Sequence, residues 1–223
     1  AGTTTRITLG PGGEEANGAS ENASISANGG FVAFTSSATN LVSDDTNGFT
    51  TDIFVHDLVT QENEIASLDS GGRQGDEDST LPTLSEDGQF IAFETDAANL
   101  INNDNNMATD VFVRDRNAQI TLRASEAVAG TQGDGDSAGD GDSADADAAV
   151  SSDGRFVAFR SGATNLVNGD TNQRDDIFVL DRDTGAIERV SINSAGEEAN
   201  AISAQPSISD DGRFVAFVSL ASN

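Results

Sequence analysis

One nine-residue pattern occurs four times along the chain, and a chain built from such copies folds as an array of like units. The copies read Ser26-Ala-Asn-Gly-Gly-Phe31-Val-Ala-Phe34, Ser85-Glu-Asp-Gly-Gln-Phe90-Ile-Ala-Phe93, Ser151-Ser-Asp-Gly-Arg-Phe156-Val-Ala-Phe159 and Ser209-Asp-Asp-Gly-Arg-Phe214-Val-Ala-Phe217. They start 59, 66 and 58 residues apart. Periods of this size mark arrays in which each unit buries its apolar face against the next. Much of the long spacing comes from a tandem hexapeptide, Gly133-Asp-Gly-Asp-Ser-Ala138 followed by Gly139-Asp-Gly-Asp-Ser-Ala144, which reads as a local duplication inside one loop.

Each repeat resolves into four short strands, a to d. Strand a is a Ser-Ile-Ser type run, as at Ser24 to Ser26 or Ser207 to Ser209. It turns through Asn-Gly or Asp-Gly, a dipeptide that favours a type I′ hairpin because both central residues need positive φ. Strand b is the Phe-Val-Ala-Phe run. Strand c follows as Asp52-Ile-Phe-Val, Asp110-Val-Phe-Val and Asp176-Ile-Phe-Val. Strand d is placed at Arg6-Ile-Thr-Leu, Ile65-Ala-Ser, Gln119-Ile-Thr-Leu and Arg189-Val-Ser-Ile. Strands b and c are apolar on both faces, which implies a sheet covered on each side. No segment outside the alanine-rich loops shows a 3.6-residue apolar period, so almost no helix is expected.

The order Ser-x-Asp-Gly-x-Phe-Val-Ala-Phe, then Asp-Ile-Phe-Val-x-Asp, then Thr-Gly-x-x-x-Arg-Val-Ser resembles the TolB-type, WD-like propeller repeat. The resemblance covers essentially the whole chain and is most complete from Ser151 to Ile192. It implies an all-β fold, a β-propeller arc of four-stranded antiparallel blades with about 59 residues per repeat. Two departures stand out. The aromatic that often precedes the Asp-Gly turn is absent, and the period exceeds the roughly 40 to 50 residues of common propeller repeats. The expected organisation is a single propeller region over 1–223. It has a partial blade at 1–10, blades at about 23–68, 81–124 and 148–192, and a partial blade at 206–223, as in an excerpt of a longer propeller.

Charge then limits the partners. The 223 residues carry 38 acids against 11 arginines and no lysine, a formal charge of −27. Such a surface repels nucleic acid and anionic lipid. No apolar stretch approaches the roughly 20 residues that span a bilayer as a helix, so membrane insertion is not expected. Asp outnumbers Glu by about two to one, a balance that resembles proteins from saline habitats and that a secreted cation-binding protein would share. In a meander the b–c and d–a loops share one rim, which places more than half of the 38 acids there, including Asp134, Asp136, Asp140 and Asp142.

The b–c loops repeat a pattern of oxygen donors: Asp45-Thr-Asn47 before Asp52, Asp104-Asn-Asn106 before Asp110, and Asp170-Thr-Asn172 before Asp176. Donors at alternate positions closed by a later carboxylate suit a hard cation, and calcium takes 6 to 8 oxygens in adaptable geometry. The same residues are ordinary turn formers that bond the backbone two positions on, and an Asp opening a strand can cap a loop without metal. The spacing departs from the EF-hand, lacks its bidentate Glu, and is one residue longer in the first copy. Asn17, Asp76, Asp142 and Asn200 sit at equivalent places in the d–a loops, where they complete a site or solvate the rim.

No residue stands out as catalytic. His56 is the single histidine, and Arg114 and Leu180 take its strand-c position elsewhere, which points to surface or edge packing. No serine lies in a Gly-x-Ser-x-Gly elbow. Eleven of twelve phenylalanines sit in strands b and c, only Phe49 lies in a loop, and Tyr and Trp are absent, so stacking platforms for sugars or bases are not available. The leading expectation is a non-enzymatic binding or scaffold module of a secreted or envelope protein, stabilised by calcium on its acidic face. Its partner would be a protein or cell-surface component. The alternatives are the propeller part of a larger hydrolase or peptidase, and a structural spacer array at a cell surface.

Overall fold

The computed structural model describes residues 2–127, 130–137 and 147–223, and no helix occurs among them. The fold is all-β. Three four-stranded antiparallel meanders follow one another along the chain. The first contains β1 (Ser20–Ile25), β2 (Phe31–Ser36), β3 (Asp52–Asp57) and β4 (Asn63–Ile65). The second contains β5 (Ser79–Leu84), β6 (Phe90–Thr95), β7 (Asp110–Asp115) and β8 (Ile120–Arg123). A short hairpin of β9 (Glu126–Ala127) and β10 (Thr131–Gln132) precedes the third meander. That meander is β11 (Ala148–Val150), β12 (Phe156–Ser161), β13 (Asp176–Asp181) and β14 (Ala186–Arg189). A two-stranded sheet, β15 (Ser203–Ile208) with β16 (Val215–Ser219), closes the sequence.

The sheets pack as propeller blades do, face to face in chain order. Ala33, Ile53 and Val55 of the first blade share a core with Ile91, Phe93 and Phe112 of the second. Ala92, Val111 and Val113 of the second do the same with Val157, Phe159 and Phe178 of the third. Alternate residues therefore serve two different interfaces, which is why strands b and c carry apolar residues at successive positions. Within each blade two phenylalanines stack, Phe34 on Phe54, Phe93 on Phe112 and Phe159 on Phe178, with ring centroids 5.8, 6.1 and 5.9 Å apart; the second and third pairs face the preceding blade, and the first packs with Ile7 and Ala16 of the segment before it.

A second aromatic joins neighbours. The first phenylalanine of strand b lies on the glycine of the next blade's turn: a Cβ built on Gly88 would stand 2.5 Å from Phe31, on Gly154 2.0 Å from Phe90, and on Gly212 2.1 Å from Phe156. These positions also have φ of +72°, +70° and +69°, so only glycine satisfies both the turn and the ring. Arg116 and Arg182 cover the outer faces of Phe31 and Phe90 at 4.5 and 4.6 Å.

Three expectations about local structure change. The a–b turn is not type I′, because only its glycine has positive φ. The serine opening the motif sets the turn instead. The Ser85 hydroxyl donates to Asp87 Oδ1 at 3.0 Å and accepts from Phe90 N at 2.9 Å, while Asp87 Oδ1 accepts from Gln89 N. The other three copies repeat this pattern around Ser26, Ser151 and Ser209. Strand d ends earlier than Ile65-Ala-Ser and Arg189-Val-Ser-Ile suggest, since Ser67 and Ser191 leave the ladder to bond a carboxylate. The segment Arg6–Leu9 makes no strand and contributes one bridge, Leu9 to Glu15.

Of the tandem hexapeptide, residues 133–137 lie in the irregular segment between β10 and β11, and residues 138–144 lie outside the described residues. Ser137 pairs its hydroxyl with Ser161 at 2.8 Å, as Ser79 does with Thr95 at the start of β5. In the other sheets strand a carries a bulge, at Glu21/Ser24, Thr80/Thr83 and Ala204/Ser207. Asp140 and Asp142 lie outside the described residues.

Candidate functional site

The nine oxygen donors singled out in the b–c loops come together as three copies of one cluster. Its centre is the aspartate that opens strand c. Asp52, Asp110 and Asp176 are 1%, 1% and 0% exposed. Oδ1 of each accepts a hydroxyl proton from the serine just beyond strand d: Ser67 at 2.6 Å, Ser125 at 2.5 Å and Ser191 at 2.5 Å. Oδ2 accepts from the loop asparagine, Asn47 at 2.9 Å, Asn106 at 3.2 Å and Asn172 at 2.8 Å. The same amide groups donate to the carbonyls of Gly75, Gly133 and Ala199, so each cluster ties the b–c loop to the d–a loop.

The third acid of each copy, Asp45, Asp104 or Asp170, stands beside this centre, and here the repeats diverge. In the second repeat Arg123 Nη1 bridges Asp104 at 3.2 Å and Asp110 at 3.1 Å. In the third, Arg189 Nη1 meets Asp170 at 3.3 Å, Asp176 at 3.4 Å and Glu198 at 3.0 Å. These guanidinium groups supply positive charge to buried carboxylates, as an ion would. In the first repeat the corresponding residue is Ile65, and the corresponding acid Glu198 is replaced by Gln74, whose amide lies 3.4 Å from Asp45. Asn47 Oδ1 is buried and has no hydrogen-bond partner.

The electrostatics follow the wiring. Burial pushes the Asp52 carboxyl up to about 6, with the charges of Asp45 and Asp78 adding to the rise and bonds from Ser67 and Asn47 opposing it. Burial also raises Asp45, helped by Asp44. Asp104, Asp110 and Asp170 are raised by burial as well, and in each case the neighbouring arginine pulls the other way.

The d–a loop residues do not join these clusters. Asn17 pairs with Thr39 and Asn40, Asp76 with Ala98 and Asn99, and Asn200 with Ser222 and Asn223, each exchanging bonds with the backbone or side chains of the following b–c loop. In the third blade this place belongs to Asp134, which bonds Thr164 and Asn165, so the equivalence assigned to Asp142 is replaced. His56 is also placed differently from a surface residue. It is 3% exposed, and Nδ1 lies 2.9 Å from Asn63 Oδ1. Asn63 in turn donates to the Leu9 carbonyl, so the segment before the first blade covers this edge.

A second group of buried charges carries no motif in the sequence. Glu94 Oε1 accepts from the Asp147 amide at 3.1 Å. Arg160 donates to Asp147 Oδ2 at 3.2 Å and to Asp175 Oδ2, and the Gln205 amide donates to Asp147 Oδ1. Burial drives Glu94 up to about 8, the charges of Asp147 and Asp96 add to the shift, and the Asp147 amide and Arg160 oppose it. These bonds link β6 of the second blade, the third blade and β15 of the last sheet.

No protein-family profile and no curated protein matches the chain. Solved structures do resemble it. TolB from Acinetobacter baumannii aligns over 92% of this chain and 39% of its own, at 16% identity and a TM-score of 0.49. A putative TolB from Agrobacterium tumefaciens aligns over 92% and 59%, at 14% identity and a TM-score of 0.47. The β-propeller domain of the Trilobed protease from Pyrococcus furiosus aligns over 77% and 42%, at 15% identity and a TM-score of 0.46. The chain thus spans less than two thirds of each. At these identities no residue role transfers, and the propeller assignment stands on the blades themselves.

Proposed function

We propose that this chain is a non-enzymatic binding or scaffold module of a secreted or envelope protein, and that calcium steadies its acidic loop face at the first repeat. The observation that carries this reading is the exchange of Arg123 and Arg189 for Ile65 in an otherwise repeated cluster. Without the guanidinium, Asp45 and Asp52 lie in a partly dehydrated space with no positive partner among the described residues. A buried carboxylate pair of this kind takes up a proton or a cation. Asp45, Asp52 and the unbonded Asn47 Oδ1 are hard oxygen donors of the type calcium selects, with water completing the shell. The remaining donors, Asp104, Asn106, Asp110, Asp170, Asn172 and Asp176, surround arginine and act as structural ties between loops. An acid-rich, lysine-free surface suits a saline or calcium-bearing exterior.

The experiment is a melting curve in chelator and in millimolar calcium at fixed ionic strength, on the parent chain and on Ile65→Arg. Calcium raises the Tm of the parent. A cation that binds only the folded state adds about 2.7 kcal/mol at a hundredfold excess over its Kd. Ile65→Arg supplies the missing charge and removes the response. No calcium shift in the parent chain rejects the cation, and an equal shift in Ile65→Arg rejects the location.

A further inference from the structure

Two clefts occupy like positions at the strand-d edges of neighbouring blades. One, of about 490 Å³, lies between the first and second blades, and the other, of about 390 Å³, between the second and third. Each is walled by the b–c loop and strand d of one blade and by the end of strand c in the next. The strand registers show which walls correspond. Glu64 faces Val55 across the ladder and Leu122 faces Val113, so Leu122 holds the place of Glu64. Arg114 faces Ile91 and Leu180 faces Val157, so Leu180 holds the place of Arg114. Two charged walls of the first cleft are therefore leucines in the second. Glu188 takes the same place in the third repeat, which makes Leu122 the exception, and Leu122 is 44% exposed.

The arginine that closes each joint is kept while its partner is lost. Arg116 and Arg182 donate through Nη1 to the carbonyls of Gly88 and Gly154 and lie over Phe31 and Phe90. Arg116 Nε also donates to Glu64 at 2.5 Å. Arg182 has no such acceptor. Its Nε is buried without a hydrogen-bond partner, and among the described residues its Nη2 makes no bond and its side chain no ion pair. Burial lowers the Arg182 guanidinium, and the charges of Asp115, Asp183 and Asp153 oppose that fall from beyond ion-pair distance. The other arginine of this cleft, Arg123, is already taken by Asp104, Asp110 and Glu126. A partly dehydrated guanidinium edge beside uncharged walls calls for a carboxylate that the chain does not supply.

We propose that the cleft between the second and third blades binds a small aliphatic monocarboxylate, with its carboxylate on the Nε–Nη2 edge of Arg182 and its hydrocarbon against Ile101, Leu122 and Leu180. The carboxylate takes the part that Glu64 plays toward Arg116 at the preceding joint. The cleft is near the lower end of the roughly 300 to 1,000 Å³ of small-molecule pockets, which fits a ligand of modest size. A single negative charge suits it as well, because only one guanidinium is unpaired and the formal charge of −27 opposes every further anionic group. The site uses none of Asp45, Asn47 and Asp52 and does not depend on the cation reading.

The probe is sodium octanoate, titrated calorimetrically into the full chain, with octanol and acetate as controls that lack the charge and the hydrocarbon in turn. The expected result is saturable one-to-one binding of octanoate, with each control weaker by about tenfold or more. Leu122→Glu places at this joint the carboxylate that Glu64 supplies at the one before, so it should fold, keep its Tm in the absence of ligand, and lose octanoate binding. Leu122→Gln removes the apolar wall without adding charge and should weaken binding less than Leu122→Glu does. Absence of octanoate binding, equal binding of octanol, more than one site per chain, or unchanged binding in Leu122→Glu would each overturn the proposal.

Discussion

In the third repeat Arg189 stands among Asp170, Asp176 and Glu198, whereas in the first repeat the corresponding Ile65 packs in the core with Phe34, Leu41 and Phe54, and Asp45, Asp52 and Gln74 hold the places of the three acids. The asparagine and serine bonds to the central aspartate are the same in both, although the loop of the first repeat is one residue longer. The two clusters therefore differ in charge: the third carries a guanidinium, and the first has Ile65 and Gln74 where the third has Arg189 and Glu198. Local sequence sets the geometry, and the residue at the end of strand d decides the charge state.

The largest expected effect comes from giving the third repeat the first repeat's character. Arg189→Met leaves three carboxylates around a buried point and should cost about 3–5 kcal/mol in urea denaturation at pH 7.5. A loss below about 1 kcal/mol would mean that the guanidinium is not the compensating charge.

Titration gives the next effect. Asp52 at about 6 and Glu94 at about 8 lie above their ordinary 3.8 and 4.5, so the folded state holds protons that the unfolded state releases. Stability from these groups is fully present below the ordinary values and falls as pH rises, through 6 for Asp52 and through 8 for Glu94. For Asp52 the fall is at most about 3 kcal/mol. In chelator, Tm should drop between pH 5 and 8. Calcium should flatten the lower part of the drop and Glu94→Gln the upper part. A flat profile in chelator would break the contrast with the third repeat.

Smaller effects test the shared scaffold. Ser191→Ala removes a 2.5 Å bond to a buried carboxylate and should cost about 2 kcal/mol by the same urea measurement, with Ser67→Ala similar when calcium is present. Arg6 sits at the corresponding point before the first blade but pairs with Glu15 at exposures of 54% and 77%. Arg6→Ala should change stability by less than about 0.5 kcal/mol, and a larger change would show that exposure does not separate it from Arg189.

The blades were legible because their signal is local. Phe-Val-Ala-Phe and the Ile-Phe-Val of Asp-Ile-Phe-Val carry apolar side chains to both faces of a strand, and water must then be kept from both by packed neighbours. The turn type was not, because the hydroxyl of Ser26 or Ser85 overrides the Asn-Gly and Asp-Gly preference with bonds to the side chain and amide that follow. The arginines were hidden for a different reason. Aligning Gln119-Ile-Thr-Leu with Arg189-Val-Ser-Ile placed the second repeat four residues out of step, so Arg123 and Arg189 did not appear as equivalents. The serines that bond Asp110 and Asp176, Ser125 and Ser191, give the correct alignment, and each stands two residues after its arginine. The gathering of Glu94, Asp147, Arg160 and Asp175 draws on separate strands and loops, which no local pattern reports.

The seat of Phe31 on Gly88, Phe90 on Gly154 and Phe156 on Gly212 has a consequence for how such a molecule changes over generations. Each of these units offers a ring forward and a bare backbone backward, so the same contact recurs at every joint between consecutive units. Copying or deleting one whole period leaves each surviving ring with a glycine to rest on, whereas a single Gly154→Ala would drive Phe90 from its seat and uncouple the array at that joint. Gene duplication is thus structurally mild here and a one-methyl point change is severe, an inversion of the usual ranking of insertions against substitutions.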